Sequence, residues 1–241
     1  MSTRRCYRKP PPGVDPATLS GTLIVIEGPD SVGRSTHIRL LTEWLEQRGW
    51  AVAEVGLKRS TLVGPELERA KQGNTLSPRT MSLFYASDFY DQLENRIVPA
   101  LRAGSVVLAD RYIFTLMARD LVRGADPEWL ESLYSMAIVP DAVYCLTVST
   151  QALARRALAA HFGLDYWESG MDLGLSRDWY TSFVLYQRKL RQEFRRLQQR
   201  YQFETVDANR SIAAIQRDLR ARVLAVLVSR ATGEEASHDS P

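Results

Sequence analysis

The residues whose types and spacing best suit chemistry are Gly28-Pro29-Asp30-Ser31-Val32-Gly33-Arg34-Ser35-Thr36. Gly28 and Gly33 bracket a segment whose backbone N–H groups can turn inward onto an anion, and a helix starting behind it adds a partly positive N-terminus. That is the setting a phosphate-binding loop requires. The usual pattern, G-x-x-x-x-G-K-[ST], lays a lysine along the β- and γ-phosphates, whereas this chain has Arg34. Guanidinium keeps its charge and bridges two oxygens, but it is broader than ammonium. The loop therefore specifies nucleotide binding more firmly than it specifies catalysis. Ser35 stands where a hydroxyl ligates Mg²⁺, and Thr36 adds a second hydroxyl; without a phosphate nearby, both would cap the helix. Asp30 either touches an acceptor or metal-bound water, or pairs with an arginine.

The second group is Asp110-Arg111-Tyr112, delivered by the apolar run Ser105-Val106-Val107-Leu108-Ala109. Asp110 suits a Mg²⁺-water contact or an ion pair with Arg111. Arg111 itself suits a phosphate clamp or a structural salt bridge. Arg59, in the loop after the second strand, is either a second phosphate clamp or simply solvated, and Tyr85 and Phe89, one helical turn apart, are either core or a shelf for a base.

The elements that position these groups alternate along the chain. An apolar strand, Thr22 to Glu27, precedes the loop, and a helix with Ile38, Leu41, Trp44 and Leu45 at helical spacing follows it. A second strand near Trp50 to Val55, a short helix ending near Gly73 and one long helix from Pro78 to Arg102 lead to the strand before Asp110. Helices from Ile113 to Val122 and Pro127 to Ala137, a strand from Ala142 to Val148 and a helix from Gln151 to Ala160 come next. His161 to Asp178 is polar, contains glycine and reads as a lid. A helix from Trp179 to Arg200, a strand from Phe203 to Val206 and a helix from Ile212 to Val228 complete the pattern. Five strands alternating with helices predict one three-layer α/β/α domain on a five-stranded parallel sheet, over residues 21–229. In open sheets ligands gather beyond the carboxyl ends of the strands, which puts the loop and Asp110 on one rim.

Composition bounds the partners. The 241 residues carry 45% hydrophobic and 24% charged side chains and a net charge of +3, ordinary for a globular protein and too small to argue for nucleic acid. No run approaches the ~18 apolar residues of a membrane span. Two cysteines, Cys6 and Cys145, offer neither a disulfide framework nor metal-ligand spacing, so a cytoplasmic setting is expected. Residues 1–20, basic and rich in proline, read as a disordered leader, and 230–241 as a disordered tail.

These residues resemble the thymidylate kinase family of nucleoside monophosphate kinases, over about Gly21 to Val228. The loop with its internal Asp30 is similar to that family's. So are Arg59-Ser60-Thr61-Leu62-Val63-Gly64, Asp110-Arg111-Tyr112, Pro140-Asp141 before a strand, Asp165-Tyr166-Trp167-Glu168 on the lid side and Val206-Asp207-Ala208. The resemblance implies the P-loop kinase fold, ATP and Mg²⁺ on the donor side and a deoxynucleoside monophosphate, dTMP first, as acceptor. It implies donor binding by Gly28 to Thr36, metal contacts from Ser35 and Asp110, and catalytic roles for Asp30, Arg34 and Arg111. It further implies acceptor contacts from Arg59, Tyr85, Phe89, Arg111, Arg119, Asp165 and Trp167, and a homodimer built through helices. Four positions depart from the family: Arg34 in the loop, Phe89 where the family has an arginine, Arg119 where it has an aromatic residue, and Lys58 where its second-strand loop has an acidic residue. Arg119 replaces the charge missing at 89, on one reading. On another, these departures mark a different acceptor or a weakly active or inactive nucleotide-binding regulator.

Overall fold

The computed structural model describes residues 6–73, 76–161 and 164–232. Its strands are the apolar runs of the sequence: β1 Thr22–Glu27, β2 Val52–Gly56, β3 Val106–Asp110, β4 Ala142–Thr147 and β5 Glu204–Asp207. They form one parallel sheet in the order β2-β3-β1-β4-β5. The central strand, β1, is buried along its whole length. Its side chains alternate between two cores. Leu23 and Val25 pack with Phe89, Tyr112, Phe114 and Leu190 on one face, while Ile24 and Ile26 pack with Leu41, Leu45, Leu219 and Val223 on the other. This is the expected three-layer arrangement.

The flanking helices are α1 Arg34–Glu46, α2 Gly64–Gly73, α3 Pro78–Gln92, α4 Val98–Arg102, α5 Ile113–Val122, α6 Pro127–Leu133, α7 Thr150–His161, α8 Trp179–Tyr201 and α9 Ile212–Thr232. The long helix predicted from Pro78 to Arg102 is interrupted by a π-helical turn, Leu93–Ile97, before α4. Pro99 has no N–H for the preceding turn and its ring crowds the carbonyl one turn back, so the helix widens there. At the outer margin of the sheet the Gln92 side-chain amide accepts from the Gly56 N–H at 3.1 Å and donates to the Gly56 carbonyl at 2.7 Å. Arg96 donates to the Glu54 carbonyl at 3.2 Å.

The leader is corrected from Cys6 onward. Cys6 bridges Ile138 in antiparallel fashion, and the Tyr7 and Arg8 amides donate to Ala137 and Ser135 at 3.1 and 2.9 Å. The Tyr7 ring stands edge-on to Phe114 and Tyr201. Pro16–Thr18 forms a 3₁₀ turn capped by Asp15, and Leu19 is buried. Prolines and arginines dominate the composition, but the apolar side chains among them find sites on the domain. Met1 to Arg5 and residues 233–241 lie outside the described residues, as do 162–163 of the predicted lid; α9 runs on to Thr232. Among the described residues no helix is long and apolar enough to cross a membrane.

Candidate active site

The loop after β1 has the backbone its sequence implies. Gly28 and Gly33 have φ of +135° and +107°, and a Cβ on Gly28 would lie 2.6 Å from the Leu146 carbonyl oxygen. Ser31 and Arg111 adopt positive φ without being glycine, at +59° and +71°. Strain of this kind at a strand end is held in place by the surrounding structure and marks functional backbone. For Arg111 it turns the guanidinium back toward the loop, where it pairs with Asp30.

That pair belongs to a wider network. The Asp30 carboxylate lies between Arg111 and Arg119, the latter at 2.7 Å, with Arg34 at 4.0 Å. Burial works to raise its pKa, but Arg111, Arg119 and Arg34 together outweigh it and hold Asp30 well below the usual carboxylate range. Arg34 folds into its own loop, donating to the Gly28 carbonyl at 2.5 Å, to the Pro29 carbonyl, and from Nε to Asp110 at 2.8 Å. Asp110 also accepts from the Ser35 hydroxyl at 3.1 Å. Its pKa is depressed because Arg34, Arg111 and Ser35 outweigh the effect of burial. Of the two readings of Asp110, the ion pair is made with Arg34 and not with Arg111, whose guanidinium goes to Asp30.

Arg59 sits on the same rim, 3.9 Å from Asp110 and 3.5 Å from Glu54. Its loop is pinned by Asp88, which accepts from the Lys58 and Ser60 amides at 2.7 and 2.9 Å. Gly56 makes room beneath the rim, because a Cβ there would meet the Asp110 carbonyl at 2.8 Å.

Beside the loop a cavity opens, walled by Pro78, Met81 and Tyr85 of α3, Leu116 and Arg119 of α5, and Trp167. Asp30, Lys71, Asp120, Arg123, Glu168 and Tyr186 complete its lining. Tyr85, Arg119 and Trp167 are thus among its lining residues. Phe89 is not: it is 3% exposed and packs edge-on to Tyr90, Tyr112 and Tyr134 in the core. An apolar ring at that helical position gains more from the aromatic core than from the rim. Asp165 is spent elsewhere, accepting from the Trp167 and Glu168 amides and pairing with Lys71 at 3.5 Å, and it does not line the cavity.

Three acids were missed as site residues. Glu27, fully buried at the end of β1, accepts from the Tyr112 and Thr115 amides at 2.9 and 3.2 Å and from the Thr115 hydroxyl at 2.5 Å. It locks the start of α5 to the loop, and the available signal was a charged residue ending an otherwise apolar strand. Glu168 is raised to about 7 by burial and by the charge of Asp30, against the pull of Arg119. Asp120 is raised to about 6 by burial, against the Ser82 hydroxyl and the Arg123 and Arg119 charges.

Two polar groups at the rim, Ser31 Oγ and Arg111 Nε, are buried without a hydrogen-bond partner. Unpaired polar atoms beside a loop of inward-turned backbone suit a phosphate.

Residues 26–168 match the family model for thymidylate kinase. The chain is 33% identical over 203 residues to the probable thymidylate kinase 2 of Saccharolobus solfataricus, covering 84% of this chain and 95% of the relative. It is 34% identical over 142 residues to the probable thymidylate kinase of Thermococcus kodakarensis, covering 55% and 69%. It is 31% identical over 158 residues to the thymidylate kinase of Clavibacter sepedonicus, covering 63% and 74%. With loop, rim and cavity in place and the match running through all three, the chain belongs to the thymidylate kinase family of nucleoside monophosphate kinases.

Proposed function

We propose that this chain transfers the γ-phosphoryl group of ATP to dTMP, giving ADP and dTDP. The observation that carries the reading is the junction at Asp30, where the phosphate loop meets an apolar cavity and Arg111 and Arg119 stand between them. Family membership favours a kinase over a nucleotide-binding regulator.

The backbone from Gly28 to Thr36 binds the donor phosphates, with the Arg34 charge alongside. The oxygens of Ser35 and Asp110, 3.1 Å apart, suit Mg²⁺, which one or two carboxylates hold together with substrate phosphates. When bound, the ion neutralises charge on the donor. Arg111 and Arg119 exchange Asp30 for the acceptor phosphate, and Arg59 approaches it from the β2 side. Tyr85 lies against the base, and Trp167 closes the cavity from the segment read as a lid, excluding water. No general base is required, because a phosphate monoester is already anionic near neutral pH. The same reading includes cytoplasmic residence and a homodimer formed through helices, which sedimentation measures.

Coupled ADP release over a panel of nucleoside monophosphates tests the assignment. The expected result is the highest kcat/KM with dTMP. ATP binding without turnover on any monophosphate would refute it.

A further inference from the structure

The polar groups lining the cavity differ in what they are already bonded to. Arg119 is paired with Asp30. Arg123 is saturated by Asp172 at 2.8 and 3.1 Å, the Tyr186 hydroxyl at 3.0 Å and the Arg119 carbonyl at 3.1 Å. Lys71 pairs with Asp165. Glu168 feels the charges of Asp30 and Arg119 at the phosphate end.

Asp120 stands apart. Its hydroxyl neighbour is Ser82, which it shares with the Pro78 carbonyl, 3.0 Å from the same hydroxyl. The Tyr134 hydroxyl, whose titration the Asp120 charge influences, is buried without a partner. Asp120 follows Leu116 by one turn of α5 and lines the cavity with Met81 and Tyr85 of α3, within reach of the Arg123 and Arg119 charges. A half-buried carboxylate on this wall, whose one hydroxyl neighbour is shared with a carbonyl, has acceptor capacity left that a ligand's hydrogen would fill.

We infer that Asp120 is the specificity-determining acceptor for the base, taking a hydrogen bond from the imide N3–H of the pyrimidine while Tyr85 covers its face. This rests on the reading of the cavity as the acceptor site. It assigns base recognition to a residue one turn beyond the positions discussed so far, and it explains how the site reads a base although Phe89 has withdrawn into the core. A base without a donor at that edge leaves the carboxylate unpaired and is rejected.

The test uses the full-length enzyme, Asp120→Leu and Asp120→Asn, with dTMP and N3-methyl-dTMP as acceptors. The wild type is expected to prefer dTMP over the N3-methyl compound by roughly 10- to 100-fold in kcat/KM. Asp120→Leu should raise KM for dTMP by a comparable factor and abolish the preference, with KM for ATP unchanged. Asp120→Asn, which keeps a carbonyl acceptor, should retain most of it. Unchanged discrimination in a folded Asp120→Leu that still binds ATP would overturn the inference while leaving dTMP kinase activity standing. A wild type that neither binds nor phosphorylates dTMP would overturn both.

Discussion

A single carboxylate, Asp30, neutralises the arginines that the acceptor phosphate would meet, so its removal is felt in the stability of the free protein. Asp30→Asn leaves Arg111 and Arg119 without their anion, and folded stability should fall, as read from urea unfolding. Because the Asp30 pKa is depressed in the folded state, its contribution is present above the ordinary carboxylate value near ~4 and is lost as pH falls below it. The wild type and Asp30→Asn should therefore converge in stability as the pH is taken progressively below about 4. Arg34→Ala removes the cation that ties the loop carbonyls to Asp110, and kcat should drop on the order of 100-fold in the ADP-release assay. Glu168 works in the other direction. Held at about 7, it becomes anionic beside Asp30, Arg119, Asp165 and Lys71 as pH rises through neutrality. The kcat/KM for dTMP should fall across that range, and Glu168→Gln should flatten the profile; an unchanged profile would show that Glu168 is not felt by the acceptor. The loop residues were legible in the sequence because strand, turn and helix fix their geometry locally. Phe89, Glu27 and Asp120 were not, because which way each faces depends on elements packed from elsewhere.

Elements set the precision with which those side chains are held. Helix α3 carries Met81 and Tyr85 and starts at Ser77, whose hydroxyl accepts from the Thr80 amide at 3.2 Å, with Pro78 in the first turn. Ser77→Ala should cost about 1 kcal/mol of stability by chemical denaturation and leave turnover nearly unchanged. Gly170 is different in kind. It has φ of +60°, and a Cβ there would lie 2.8 Å from three atoms of Tyr186. Gly170→Ala should cost about 1–3 kcal/mol and also raise KM for dTMP, since Tyr186 lines the cavity. Near-continuous apolar runs made β1, β3 and β4 readable, each buried on both faces. The break after Gln92 was not apparent from hydrophobic spacing, because a π turn changes hydrogen bonding around Pro99 while keeping the same residues buried.

The whole molecule includes a segment that composition misjudged. Tyr7 packs against Phe114 and Tyr201, and the chain beside it pairs with residues 135–138. Deleting residues 1–9 should lower stability by ~2 kcal/mol, about 5 °C in Tm, while KM for ATP and dTMP stay within about twofold. Equal melting of the two forms would show that the segment adds nothing. The pair of hydrogen bonds between Gln92 and Gly56, with Arg96 on the Glu54 carbonyl, has a consequence for self-association. Those backbone groups all face outward from β2, and an incoming strand would need every one of them. Side chains of the following helix already occupy these positions, so this border of the sheet is sealed against strand addition, and copies of the chain are left with helical faces by which to meet there.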